Sequence, residues 1–324
     1  MTAKPVVSAG HATAGGLLPP PAFLHMRAEE RLLTGAIGLL GLATLLLAWV
    51  KGTAVAWDEF APGIAAALAL VATGLYARNR KAAPRLGLAA ISIGIFMGFT
   101  ALSAIFIFAL FPLANPLIDH QLQAVDAALG YHWPDFVAWL GGFPGVLQGL
   151  GYLYPTALGQ IVFLVLLLAF LRRDRALYRL LTMGIVTMVL AIGIWWLLPS
   201  IGPSAYVPAG MDKNLLMQMN ISPAVGAYFM ELVRNGLPVI TLQSISGVVA
   251  FPSYHMIMAL MVTWFAWRTF VFAPLALANL FMIPATLAQG GHYLIDLIGG
   301  TLVFLISLWL TGKMLPPGSE KAEE

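Results

Sequence analysis

Residues 292–312 read HYLIDLIGGTLVFLISLWLTG. A histidine is followed by an aspartate four residues on, and then by sixteen residues without a charge. The stretch 293–312 is long enough to cross a bilayer, for which about 20 mainly apolar residues suffice. A second stretch, AFPSYHMIMA at 250–259, sets another histidine directly after Pro-Ser at the head of an apolar run. Ionisable groups at the edge of hydrocarbon are costly, so each needs a partner or a task.

The composition extends this pattern to the whole chain. Of 324 residues, 60% are hydrophobic and only 10% charged, with a mean hydropathy of +0.87. A soluble domain carries about 25% charged residues, so the chain reads as an all-α membrane protein. The absence of cysteine excludes disulfide and thiolate chemistry. There is no basic stripe interleaved with aromatics and no Walker-type loop, so neither nucleic acid nor a P-loop nucleotide is an expected partner. The Ala/Gly-rich composition fits a bacterial inner membrane.

Eight apolar segments are candidate spans: 32–50, 59–77, 86–112, 150–171, 177–198, 249–269, 271–289 and 293–312. The seventh contains Pro274, Asn279 and Pro284, breaks that a surrounding bundle tolerates. With eight spans, one side holds Lys4, Arg27 and Arg31, then Arg78, Arg80, Lys81 and Arg85. It also holds Arg172, Arg173, Arg175 and Arg179, then Arg268, Lys313 and Lys321. Only Lys51, Lys213 and Arg234 of the 17 cations lie opposite. The positive-inside rule puts both termini in the cytoplasm. Four regions are expected: a disordered cytoplasmic tail at 1–31, a transmembrane hairpin at 32–85, a six-helix catalytic membrane domain at 86–312 and a second tail at 313–324. The first tail lacks the apolar block of a signal peptide.

Two long segments, 113–149 and 199–248, face outward. In the second, Ser222 reads as an N-cap, Pro223 as the first helical residue and Gly236 as the stop, which predicts an amphipathic helix over 223–235. Leu117, Ile118, Leu122, Val125 and Leu129 predict another within 116–130. Both would roof the outer face. His120 and His132 read as interfacial, and Glu231 is spaced to pair with Arg234.

His255, His292 and Asp296 thus fall at helix starts on one side. If His292 and Asp296 share a helix face at i and i+4, the carboxylate can accept from one ring nitrogen and leave the other free as nucleophile or base. His255 would face it from another helix. A proton relay uses the same groups, but transporter sites lie near the midplane between repeats, and no repeat is visible. A zinc hydrolase is a further alternative on the same donors.

PSYH at 252–255 with HYLID at 292–296 resembles the type 2 phosphatidic acid phosphatase superfamily, whose members carry Pro-Ser-x-His and a later His-x-x-x-Asp. FPSYH and GHYLIDLIGG are closest to its inositolphosphotransferase branch, which includes inositol phosphorylceramide synthases of sphingolipid metabolism. The six spans from 86 to 312 would match the superfamily core. The resemblance implies a lipid phosphotransferase working without metal or cofactor. His292 attacks phosphorus to form a phosphohistidine, and Asp296 orients its ring. His255 protonates the departing alcohol and then deprotonates the acceptor, while Ser253 binds a phosphate oxygen. A phospholipid is the implied donor. A lipid alcohol as acceptor gives transfer, and water gives a lipid phosphatase of the phosphatidic acid or polyprenyl phosphate type.

The chain also departs from the superfamily pattern. Thr286 stands where many members have arginine, and no Lys-x6-Arg-Pro motif occurs. LPSIGPSAY at 198–206 occupies that motif's place and offers Ser200, Ser204 and Tyr206. Because a transferring phosphoryl group needs positive charge, Lys213 and Arg234, which precede FPSYH, become candidate phosphate ligands together with Tyr206.

Overall fold

The computed structural model describes residues 25–315, apart from 209, 220, 222 and 290. Lys4, His11, Ser222, Gly290, Lys321 and most of both expected tails lie outside the described residues. Among the described residues thirteen α-helices follow in order. The first three are α1 (Ala28–Lys51), α2 (Trp57–Asn79) and α3 (Pro84–Ala109). Four shorter ones come next: α4 (Asp119–Ala128), α5 (Trp133–Gly141), α6 (Pro144–Leu153) and α7 (Ala157–Phe170). Then come α8 (Asp174–Leu197), α9 (Lys213–Gln218), α10 (Pro223–Asn235), α11 (Tyr254–Ala266), α12 (Phe272–Ala288) and α13 (Leu294–Met314).

Among the described residues, six helical segments are long and apolar enough to cross a membrane: α1, α2, α3, the joined run Pro144–Phe170, α8 and α13. The chain is an all-α integral membrane protein. The expected sixth and seventh spans are the shorter apolar helices α11, of 13 residues, and α12, of 17. The segment 249–269 is trimmed at both ends. Residues 251–253 form a turn, and the Ser253 side chain accepts from Met256 N to start α11 at Tyr254, not at Pro252. At the other end Arg268 turns the chain with φ +64°.

Other boundaries also move. The outward segment 113–149 is not a loop: it holds α4, α5 and the start of α6, each of the last two opened by a proline in its first turn. The fourth span therefore begins at Pro144, with a 3-10 turn at Tyr154–Thr156 where Pro155 interrupts the run. The amphipathic helix is found at Pro223–Asn235 as expected. Gly236 ends it at φ +67°, its N–H donating to Leu232 O. α1 begins at Ala28, before the expected 32, because the Glu30 side chain reaches back to Arg27 N at 2.8 Å.

α2 and α3 make the closest helix pair. A Cβ on Gly74 would stand 2.6 Å from Gly87 O, and one on Gly94 the same distance from Ala67 O. Small residues permit such backbone approach in a bilayer, where packing replaces the hydrophobic drive. At one end of this hairpin Glu30 is fully buried and accepts from Arg78 and from Tyr178 Oη. At the other end Ala54–Val55 (β1) pairs in parallel with Val239–Ile240 (β2). There Leu242 N donates to Glu59 at 2.7 Å, and Lys51 donates to Pro112 O at 3.0 Å.

Replacing Gly74 by alanine should lower stability by about 1–3 kcal/mol through overpacking. Gly63→Ala, which meets nothing within 4 Å, should be neutral or stabilising. Thermal midpoints of the two purified variants in detergent check this, and equal midpoints would contradict the close approach.

Candidate active site

Three segments meet where α11 and α13 begin. Asp296 is fully buried in the first turn of α13. Its Oδ2 accepts from Tyr293 N at 2.8 Å and lies 3.3 Å from His292 Nδ1. His292 precedes the helix by two residues, so the pair is not the i, i+4 contact of one helix face. It forms because a carboxylate at the third helical position turns back towards the N-terminus. Ser253 N donates to the main-chain oxygen of Asp296 at 3.0 Å, which ties the two helix starts together. A Cβ on Gly300 would stand 2.5 Å from Ser253 O, so that glycine lets the turn seat against α13.

Ser253 is fully buried, and its Oγ stands 3.4 Å from His292 Nε2. His255 projects from the first turn of α11, with its ring centroid 6.0 Å from that of His292 in an edge-to-face arrangement. On its other side it stacks on Tyr154 at 4.0 Å with 18° between the planes. Asp296, His292 and Ser253 thus form one relay of contacts, and His255 stands beside the His292 ring.

α4 holds this arrangement from above. Asp126 accepts from Leu294 N at 2.8 Å and Ile295 N at 2.9 Å, the first two N–H groups of α13. Such groups have no partner within their own helix. Asp119 accepts from Gly202 N at 2.8 Å and Ile201 N at 3.2 Å. Gly202, at φ +84°, passes so close to the next segment that a Cβ would stand 2.4 Å from Gly291 O. Ser200 Oγ accepts from Phe251 N at 2.9 Å, so the 200–202 loop touches both motif segments. Burial raises the Asp126 carboxyl above the usual carboxylate range, and it raises Asp119 to about 6 against the opposing pull of its backbone donors.

The remaining expected ligands are placed elsewhere. Tyr206 Oη donates to Asp119 at 3.4 Å and, among the described residues, has no hydrogen bond to either histidine. Lys213 and Arg234 are exposed on α9 and α10. Among the described residues neither has a hydrogen bond or ion pair to Ser253, His255, His292 or Asp296. Glu231 accepts from Asn235 at 2.6 Å, and His132 pairs with Asp135 at 2.9 Å. Sequence reasoning missed Asp119, Asp126 and Tyr154. The two acids did leave a signal: both flank Leu122 at helical spacing, on the face of α4 that is buried.

The Asp119 carboxyl gives a pH signature. Its folded value lies above the unfolded one, so its contribution to stability is present below about pH 4 and is lost as pH rises through about 6. Asp119→Asn should flatten that part of the stability–pH profile. Asp119→Ala, which leaves two buried N–H groups unpaired, should cost about 1–3 kcal/mol at every pH. Thermal midpoints from pH 4 to 8 test both.

A profile of the family described as the PAP2 superfamily matches residues 120–310. The match takes in α5 to α12 and most of α4 and α13, with all four residues at the helix starts. It leaves out α1–α3, so the correspondence is narrower than the expected 86–312. No match was found among curated proteins, and none among solved structures. Covering more than half of the 324 residues, the family match means that this chain belongs to the PAP2 superfamily, that of type 2 phosphatidic acid phosphatases.

Proposed function

We propose that the protein is a membrane lipid phosphotransferase that moves a phospho-headgroup between lipids through a phosphohistidine at His292. The observation that carries the proposal is the buried sequence of contacts Asp296–His292–Ser253 with His255 at its edge. Superfamily membership supports action on lipid phosphoesters in general. The FPSYH and GHYLIDLIGG motifs support the inositolphosphotransferase branch.

In the proposed mechanism Asp296 accepts the Nδ1 proton of His292, which leaves the Nε2 lone pair free. Nε2 attacks phosphorus, and the bond from phosphorus to the departing alcohol oxygen breaks. His255, protonated once the anionic phosphate group is bound beside it, gives that oxygen its proton. The acceptor hydroxyl then enters, His255 takes its proton back, and the new oxygen–phosphorus bond forms as the nitrogen–phosphorus bond breaks. Ser253 Oγ donates to a phosphoryl oxygen.

The charge that phosphoryl transfer develops must be met within the site. The N-termini of α11 and α13 converge there, each worth roughly half a positive charge. With protonated His255 they replace the arginine that many members carry where this chain has Thr286. Lys213 and Arg234, being exposed, are assigned to headgroups at the outer surface, and Tyr206 to holding Asp119. The cation distribution supports both termini in the cytoplasm and the site on the outer side.

His292→Ala should abolish turnover. His255→Ala should lower it by about 10²–10⁴-fold, the usual worth of a general acid–base. A phospholipid donor radiolabelled at phosphorus should leave an acid-labile label on wild-type protein and none on His292→Ala. Retained turnover in that variant would sink the proposal, as would sensitivity to chelators.

The acceptor is read by mass spectrometry of purified enzyme with mixed phospholipids and a lipid alcohol. A phospho-headgroup on the lipid alcohol is the expected product. A free phosphorylated headgroup in its place, or free phosphate from a phosphomonoester lipid, would assign water as acceptor and make the enzyme a lipid phosphatase.

A further inference from the structure

At the end of the bundle away from the histidines lies a cavity of about 360 Å³ that the proposed chemistry does not use. It is lined by Arg27, Arg78, Arg85, Arg172 and Asp174, with an apolar floor of Pro84, Leu88 and Ala169. α8 starts at this cavity and ends near the Ser200 loop. Its 24 residues at about 1.5 Å each put the two sites roughly 36 Å apart.

Two of the four arginines are fixed by acids. Arg78 is held by the buried Glu30, and Arg27 by Asp174 at 2.6 Å. Tyr178 Oη also donates to Glu30, at 2.6 Å, so the rim is tied to α1, α2 and α8 together. Among the described residues the guanidinium groups of Arg85 and Arg172 have no hydrogen-bond or ion-pair partner. Four guanidinium groups against Glu30 and Asp174 leave a formal surplus of two positive charges around one cavity. Arg172 moreover sits in the tight α7–α8 turn at φ +57°, a conformation that non-glycine residues adopt with strain.

Topology alone accounts for cations at this end of the helices. It does not account for their enclosing a cavity, with two of them anchored by acids and two left free. Planar guanidinium forks suit phosphate oxygens better than a point charge does. The cavity volume falls in the range of small-ligand sites, about 300–1,000 Å³.

We propose that this cavity is a second binding site, for the anionic phosphate group of an amphiphile or of a small phosphate ester. Arg85 and Arg172 clamp the phosphate, Arg27 and Arg78 frame it, and the Pro84–Leu88 floor takes the adjoining carbon chain. The site gives α1–α3, which lie outside the family match, a part in ligand binding.

The test uses the full-length protein in detergent, followed by native mass spectrometry with added phosphatidylglycerol or phosphatidylcholine. Wild type should retain phosphatidylglycerol over phosphatidylcholine. Arg85→Ala combined with Arg172→Ala should lower that retention about tenfold, and Arg175→Ala, a cation at the same end that does not line the cavity, should leave it unchanged. The pair Arg85→Gln with Arg172→Gln gives the same readout if the alanine pair fails to fold. Millimolar glycerol 1-phosphate distinguishes the source: displacement of the lipid assigns the site to soluble phosphate esters, and no displacement assigns it to a lipid. His292→Ala should bind as wild type does. Equal retention of both lipids, or retention unchanged in both double variants, overturns the site.

Discussion

The start of α13 is buried, and a buried helix start brings N–H groups that must find acceptors. Asp126 takes the first two, at Leu294 and Ile295, and Asp296 takes that of Tyr293. With these donors satisfied, the backbone before α13 is held in a single conformation, and His292 is held with it. The rest of this end of the bundle follows from it. α4 must lie across the bundle to deliver Asp126, and its other carboxylate, Asp119, then meets the backbone of Ile201 and Gly202. Through Gly202 that loop packs on Gly291, and through Ser200 it supports Phe251. The two motif segments are therefore braced from one short amphipathic helix.

Charge is distributed unevenly between the two ends of the bundle. At the end that carries the histidines the buried acids Asp119 and Asp126 accept from backbone N–H groups, with the Tyr206 phenol added at Asp119 and, among the described residues, no ion pair to Lys or Arg. At the opposite end the buried Glu30 accepts from the Arg78 guanidinium as well as from the Tyr178 phenol and Arg27 N. Backbone donors fix position without adding a mobile charge, which suits a site where charge must develop during reaction. Arginines bring charge that a ligand can neutralise, which suits a binding cavity.

Much of this was legible from local chemistry. Pro223 and Gly236 bracket α10 because a proline at the first position and a left-handed glycine after the last are local requirements. The His292–Asp296 contact was legible from spacing, although its geometry is that of a helix cap and not of a helix face. α5 was not legible, since nine residues rich in aromatics carry too little periodicity. Tyr154 was not legible either, because its stacking on His255 joins residues about a hundred positions apart. Lys213 and Arg234 precede FPSYH along the chain, and both are exposed on α9 and α10. The sixth span was drawn too long because hydropathy does not register the turn that Pro252 and Ser253 impose.

The pairing of β1 with β2 has a consequence for biogenesis. Glu59 and the backbone of Leu242 that it binds are 183 residues apart. A chain that enters the membrane from its N-terminus has α1 and α2 in place long before Val239 is synthesised. The β1 end of the hairpin thus waits with open backbone groups until the segment preceding α11 arrives to complete it. Long-range contacts of this kind form late, so the first helices to be inserted are among the last to be locked.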